Sequence, residues 1–265
     1  MTSLAPARPD SPLRVHLRVV SALVRREMST RYGRAAGGYL WSVAEPAGMI
    51  LLLSVAFAAL MRRPDLGESF IVFFATGFLS FNFFRVTAQK LSGAVRANSK
   101  LVAYPGVTPY DAVAARLVLQ TLTNCVVAAL ILGVAVSWTG ERVRLDVGWI
   151  AAALSAATLM GFGVGTLNAV LFHLAPIWQR VYGIVSRPLF IVSGILYTPE
   201  ILPTAVRDVL AWNPLVHVVA AFRMGVYPAY ESELSNLGFP ALVGLLTLAP
   251  GLMLLRRHGD AMAGR

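Results

Sequence analysis

Six apolar stretches, each near the length that crosses a lipid bilayer, dominate this chain. They fall at about 40–60, 69–89, 111–138, 149–174, 181–198 and 239–256, against the roughly 20 residues a spanning helix needs. In hydrocarbon every backbone N–H and C=O must be satisfied internally, so such segments fold as helices. The fold class that follows is all-α: a polytopic membrane protein with six transmembrane helices in one domain over residues 13–265. Composition agrees, with 57% hydrophobic and 14% charged residues against roughly 45–50% and 25% in soluble domains. The fifth segment is the irregular one, because Arg187 and Pro188 interrupt it. Residues 1–12, with Pro6, Pro9 and Pro12, read as a flexible tail, and no cleavable signal peptide is evident. The single cysteine, Cys125, lies in an apolar run and excludes a disulfide framework.

An even number of spans puts both termini on one side, and the arginines say which. The N-terminal arm carries Arg8, Arg14, Arg18, Arg25, Arg26, Arg31 and Arg34. The loops and tail on the same side add Lys90, Arg96, Lys100, Arg180, Arg256, Arg257 and Arg265. The opposite side has only Arg62, Arg63, Arg142, Arg144, Arg207 and Arg223. The positive-inside rule places both termini in the cytoplasm. The net charge of +10 follows from this bias, and no soluble basic face for nucleic acid is present.

The arm has its own pattern. In 13–30, Leu13, Leu17, Val20 and Val24 recur at helical spacing while the arginines fall mainly elsewhere, which predicts an amphipathic helix lying flat at the inner interface. It serves either as a topology anchor or as a docking surface for a cytoplasmic partner. Gly33, Gly37 and Gly38 permit a turn into the membrane. The first span opens with Tyr39 and Trp41, suited to the headgroup boundary. Glu45 and Pro46 follow at membrane depth, where a carboxylate must face protein or water. The loop over 93–110 is a second contact element or a plain connector. Asn98 or Ser99 is placed to cap a short helix over 100–104 that Pro105 stops.

Between the fifth and sixth spans, two pieces at about 189–198 and 208–222 flank Thr198-Pro199-Glu200. Neither is long enough to span alone, so re-entrant or interfacial helices on the outer side are expected over 189–222, with a bend at Asn213-Pro214. Polar residues inside spans mark a path or a buried pair: Glu45, Arg85, Arg116, Asn124, Asn168, His173 and Arg187. Arg85 and Arg116, near the inner ends, are expected to snorkel, leaving Glu45 and Arg187 as the deep pair. Gly161 and Gly165 form a G-x-x-x-G that signals close helix packing. No phosphate-binding loop, G-x-S-x-G or H-E-x-x-H occurs, and the four histidines have no metal spacing. Nothing in the chain reads as catalytic.

Four blocks in order resemble the capsular polysaccharide export permeases, the membrane subunits of type-2 ATP-binding-cassette exporters in the polysaccharide and polyol-phosphate export group. They are RREMSTRYGRAAGGYLWSVAEP (25–46), NSKLVAYPGVTPYDAVAAR (98–116), RPLFIVSGILYTPEILP (187–203) and WNPLVHVVAAFR (212–223). The resemblance runs from about residue 20 to the C-terminus, and the broader group shares the first block. It implies a homodimer working with two copies of a separate cytoplasmic ATPase, which binds ATP and Mg; this chain itself holds no cofactor. It implies a lipid-linked glycan as substrate, polysaccharide export proteins of the periplasm and outer membrane as onward partners, and a place in the bacterial inner membrane. Arg25, Arg26, Arg31, Tyr32, Arg34, Asn98, Leu101, Tyr104 and Pro105 would serve ATPase coupling. Tyr39, Trp41, Glu45, Arg187, Tyr197, Trp212, Asn213 and His217 would line the conduit, its rings stacking on sugar faces or forming an interfacial belt. Trp178 and Tyr182 belong to the same aromatic set. Two kinds of rival remain: an exporter of another lipid-linked polymer, such as O-antigen or teichoic acid, and, from a different class, a membrane enzyme acting on lipid-linked sugars or a membrane scaffold.

Overall fold

A computed structural model describes residues 11–32, 38–102, 104 and 106–262. All regular structure among these residues is helical. The arm is α1 (Pro12–Tyr32). The spanning helices are α2 (Gly38–Leu60), α3 (Phe70–Ser92), α6 (Pro109–Thr139), α7 (Val147–Leu174) and α11 (Gly238–Met262). Short helices α4 (Ala94–Ala97) and α5 (Ser99–Val102) fill the loop before α6. Then come α8 (Pro176–Val192), a 3-10 turn at Pro199–Ile201, α9 (Thr204–Leu210) and α10 (Pro214–Met224).

Among the described residues, the expected six spans become five helices long and apolar enough to cross a membrane. The fifth, predicted at 181–198, is α8, which starts earlier and ends at Val192 after 17 residues, about 25 Å against the roughly 30 Å of bilayer hydrocarbon. Pro188 sits inside α8 without ending it. The turn comes at Gly194, whose φ of 75° is one that L side chains rarely adopt. Although short, α8 carries the chain from one end of the bundle to the other.

Those two ends are defined by contacts. At the proximal end α1 meets the start of α6, His16 touching Asp111, and Gly259 of α11 lies against Pro109. Both ends of the described chain therefore lie together. At the distal end Asp65 accepts the Thr198 amide at 2.8 Å, and Glu141 accepts the amides of Glu68 and Ser69 at 2.9 and 2.8 Å. The short 61–68 loop is thus tied down at Asp65 and at Glu68.

The core lies between α3, the most buried span, and α7. The paired glycines explain the close approach, because without a hydrophobic drive between helices in lipid, small residues let backbones pack. A Cβ on Gly161 would fall 2.9 Å from Thr87 Cβ, and one on Gly165 would fall 2.8 Å from the Ala88 carbonyl, both on α3. Gly163, on the other face, meets α11: its Cβ would fall 2.1 Å from the Gly244 carbonyl. The close packing expected of Gly161 and Gly165 is what the helices show.

The region between α8 and α11 differs from the two predicted pieces. Residues 189–192 finish α8, and the second piece splits at Asn213, whose side chain accepts the Leu215 amide and caps α10 with Pro214 at its first position. α10 is buried along most of its length, so this backbone is covered by protein rather than lipid, as depth requires. Arg223 on α10, assigned by sequence to an outer loop, is completely buried. It donates to the carbonyls of Gly194, Tyr197 and Ile195 at 2.8, 2.9 and 3.0 Å and lies 4.2 Å from the Phe73 ring centre. The turn after α8 leaves carbonyls without helical partners, and the guanidinium supplies the donors. Beyond it, Glu200 accepts the Tyr230 hydroxyl at 2.9 Å and a bond from Ser232. Burial pushes the Tyr230 phenol pKa up, which keeps it a donor.

Candidate functional site

A cavity of about 840 Å³ opens between α2, α3, α8 and the proximal ends of α4 and α7. α8 builds its polar wall. Gln179, Tyr182, Gly183, Ser186 and Arg187 all line it, at the three- and four-residue spacing that puts side chains on one helical face. Opposite stand Phe78, Phe81 and Phe84 of α3. The α3 wall is thus aromatic at Phe78–Phe84 and polar beyond it at Arg85 and Gln89, while the α8 wall is hydrogen-bonding up to Arg187 and apolar at Leu189 and Phe190.

The charges in this cavity are unbalanced. Arg85, Arg96 and Arg187 face one carboxylate, Glu45. Arg85 Nη2 meets Glu45 Oε1 at 3.3 Å and Asn82 Oδ1 at 2.8 Å. Arg85 therefore does not simply snorkel. It reaches across from α3 to α2, and Asn82 one turn earlier holds it in place. The pair is open, with Glu45 and Arg85 side chains 71% and 38% exposed. Glu45 faces an open cavity, as a carboxylate at membrane depth must.

Among the sequence candidates for the conduit, the cavity brings together Glu45 and Arg187, with Tyr182 from the wider aromatic set. Trp41 and Trp212 are exposed elsewhere. Trp178 donates its indole N–H to Asn168 at 3.0 Å, which fixes the α7–α8 corner. Tyr197 is half-buried in the distal turn and offers its carbonyl to Arg223. Asn213 caps α10 and donates to the Val192 carbonyl at 3.0 Å, while His217 is buried beside the Ala211 carbonyl at 2.9 Å. These two hold the α8–α9–α10 corner together. The side chain of Tyr39 lies outside the described residues.

A second cluster forms at the proximal end. Arg25, Arg26 and Tyr104 are exposed, and Leu101 is half-buried. Asn98 is buried, not a surface contact: its Nδ2 donates to Glu27 Oε1 at 3.3 Å and to the Ala94 carbonyl at 3.1 Å. The side chains of Arg31 and Tyr32, together with Arg34 and Pro105, lie outside the described residues. Arg116, expected to snorkel, instead forms an ion pair with Glu27, the two side chains 13% and 9% exposed. His16 Nδ1 lies 2.8 Å from Asp111, which also completes the capping box with Thr108. Sequence reasoning missed Glu27 and Asp111. Glu27 stands among arginines, but it falls on the same face as Val20 and Val24, and that spacing was the available signal.

Comparison with known proteins gives this arrangement a family. Residues 18–227 match the ABC-2 type transporter family. The polysialic acid transport protein KpsM of Escherichia coli is 36% identical over 92% of this chain and 94% of its own length. The capsule polysaccharide export inner-membrane proteins BexB of Haemophilus influenzae and CtrC of Neisseria meningitidis serogroup A are 23% and 25% identical, each over 94% of both chains. A match over most of the chain, on a bundle of apolar helices with a polar cavity, means that the chain belongs to the ABC-2 type transporter family.

Proposed function

We propose that this chain is the permease subunit of an ATP-driven exporter that moves lipid-linked capsular polysaccharide from the cytoplasm across the bacterial inner membrane. The observation that carries this reading is similarity along nearly the whole chain to a polysialic acid transport protein and to proteins named for capsule polysaccharide export. Two copies would face each other with their cavities joined, and two copies of a separate ATPase would rest beneath α1 and the 94–104 segment. Both termini would be cytoplasmic, as the arginine distribution supports. Onward transfer would pass to periplasmic and outer-membrane export proteins.

The cavity chemistry supports a glycan bearing an anionic group. Phe78, Phe81 and Phe84 of α3, nearly buried, give the cavity an apolar wall against which the C–H edges of sugars would rest. The hydrogen-bonding row on α8 matches hydroxyls, and Arg187 suits a carboxylate or phosphate. Deleting the gene in its native host and measuring polysaccharide inside and outside the inner membrane tests the reading. Capsular polysaccharide trapped in the cytoplasm, released by the wild-type gene, is the expected result. Normal capsule with trapped O-antigen or teichoic polymer would assign the permease to that polymer instead.

A further inference from the structure

Three elements of the proximal end meet at one carboxylate. Glu27 of α1 is 7% exposed. Its Oε1 pairs with Arg116 of α6 and accepts the Asn98 side-chain N–H at 3.3 Å. Asn98 closes α4 immediately before α5. A second tie joins the same two long helices nearer their starts, His16 of α1 to Asp111 of α6 at 2.8 Å. The arm is therefore fastened at two points on the first turns of α6, and the coupling loop is fastened to the arm at one of them.

The far end of α6 is fastened as well. The helix runs 31 residues, with Pro109 at its first position, and spans about 46 Å. Just past its Gly140 cap, Glu141 holds the amides of Glu68 and Ser69 at the start of α3. In the same 61–69 loop, Asp65 holds the Thr198 amide at 2.8 Å, beside the 3-10 turn. One continuous helix thus connects a buried charged joint at the proximal end to a hydrogen-bonded joint at the distal end. Breaking a buried ion pair leaves an uncompensated charge, so the Glu27 joint stays closed while its parts move.

We infer that Glu27 is a positioning residue that makes the arm, the coupling loop and α6 one mechanical unit, and that α6 delivers the motion to the distal loops through Glu141. The inference rests on the exporter reading above. The physical warrant it needs is coupling measured at both ends, not the contact path alone.

The test uses the permease purified with its ATPase and reconstituted into proteoliposomes, with ATP hydrolysis and polymer export measured side by side. Glu27→Gln keeps a hydrogen-bond acceptor but removes the charge. It should leave the ATPase bound and hydrolysing while polymer exported per ATP falls about tenfold. The charge swap Glu27→Arg with Arg116→Glu should recover much of that loss, which repair of fold alone would not do selectively. Glu141→Ala, at the far end, should lower export per ATP with ATPase binding unchanged. Wild-type export per ATP in Glu27→Gln, a swap no better than the single variant, or loss of the ATPase from the Glu27→Gln preparation would each overturn the inference. A wild-type permease that captures no ATPase would instead overturn the exporter reading, before any variant is made, and this inference with it.

Discussion

Two arginine–carboxylate pairs sit in this molecule in opposite surroundings. Glu27–Arg116 is enclosed, with side chains 9% and 13% exposed. Glu45–Arg85 faces a cavity, at 71% and 38%. The same two chemical groups therefore do different work. In the enclosed pair, low local dielectric makes the attraction strong and rupture costly, which suits a joint. In the open pair, water screens the attraction, and either partner exchanges readily for a passing ligand group. An enclosed carboxylate makes a fixed junction, and one open to a cavity makes a working surface.

The contrast breaks most visibly under truncation. Glu27→Ala removes the carboxylate paired with Arg116 in an enclosed site and should cost about 3–5 kcal/mol, read as a large fall in Tm of the purified permease. If Glu45→Ala costs as much, the two pairs are not different in kind. Thr108→Ala, which removes the cap of α6 beside the proximal joint, should cost about 1 kcal/mol. Glu45→Ala should cost about 0–1 kcal/mol in the same assay yet impair export, because the cavity loses the carboxylate that meets Arg85. Arg187→Glu should behave likewise, with stability unchanged, ATPase association intact and export lost. If these variants export normally, the cavity is not the path. The smallest effect is ionic. Raising salt from 0.1 to 1 M shortens the screening length from about 10 to 3 Å, so the Tm of the Glu45→Ala variant should converge on that of the wild type, whereas the deficit of Glu27→Ala should persist.

Much of this contrast was hidden in the sequence, for physical reasons. Span positions were legible because apolar runs have a length that the bilayer fixes. Close packing at Gly161 and Gly165 was legible because small residues at that spacing have one main use in lipid. Glu45 and Arg187 were legible because charge at depth is costly. What was not legible depended on a partner distant in the chain. Arg116 read as a snorkelling cation because Glu27 lies 89 positions earlier, in an arm that looked uniformly basic. Arg223 read as a loop residue because nothing in its neighbourhood shows that three turn carbonyls after α8 require a donor. Asn213 and His217 entered the conduit set through the family resemblance; the structure adds that Asn213 caps α10 and that His217 lies beside the Ala211 carbonyl. α8 was the hardest to bound, since a helix with one polar face toward a cavity falls between a span and an amphipathic segment.

The most direct measurement is ATP-driven uptake of labelled lipid-linked capsular polysaccharide into inverted inner-membrane vesicles containing this permease and its ATPase. The account expects uptake that requires ATP hydrolysis and this chain, and that Arg187→Glu abolishes while leaving the complex assembled. Uptake that proceeds without the chain, or hydrolysis with no polymer movement across the full range of capsular substrates of the host, would contradict it.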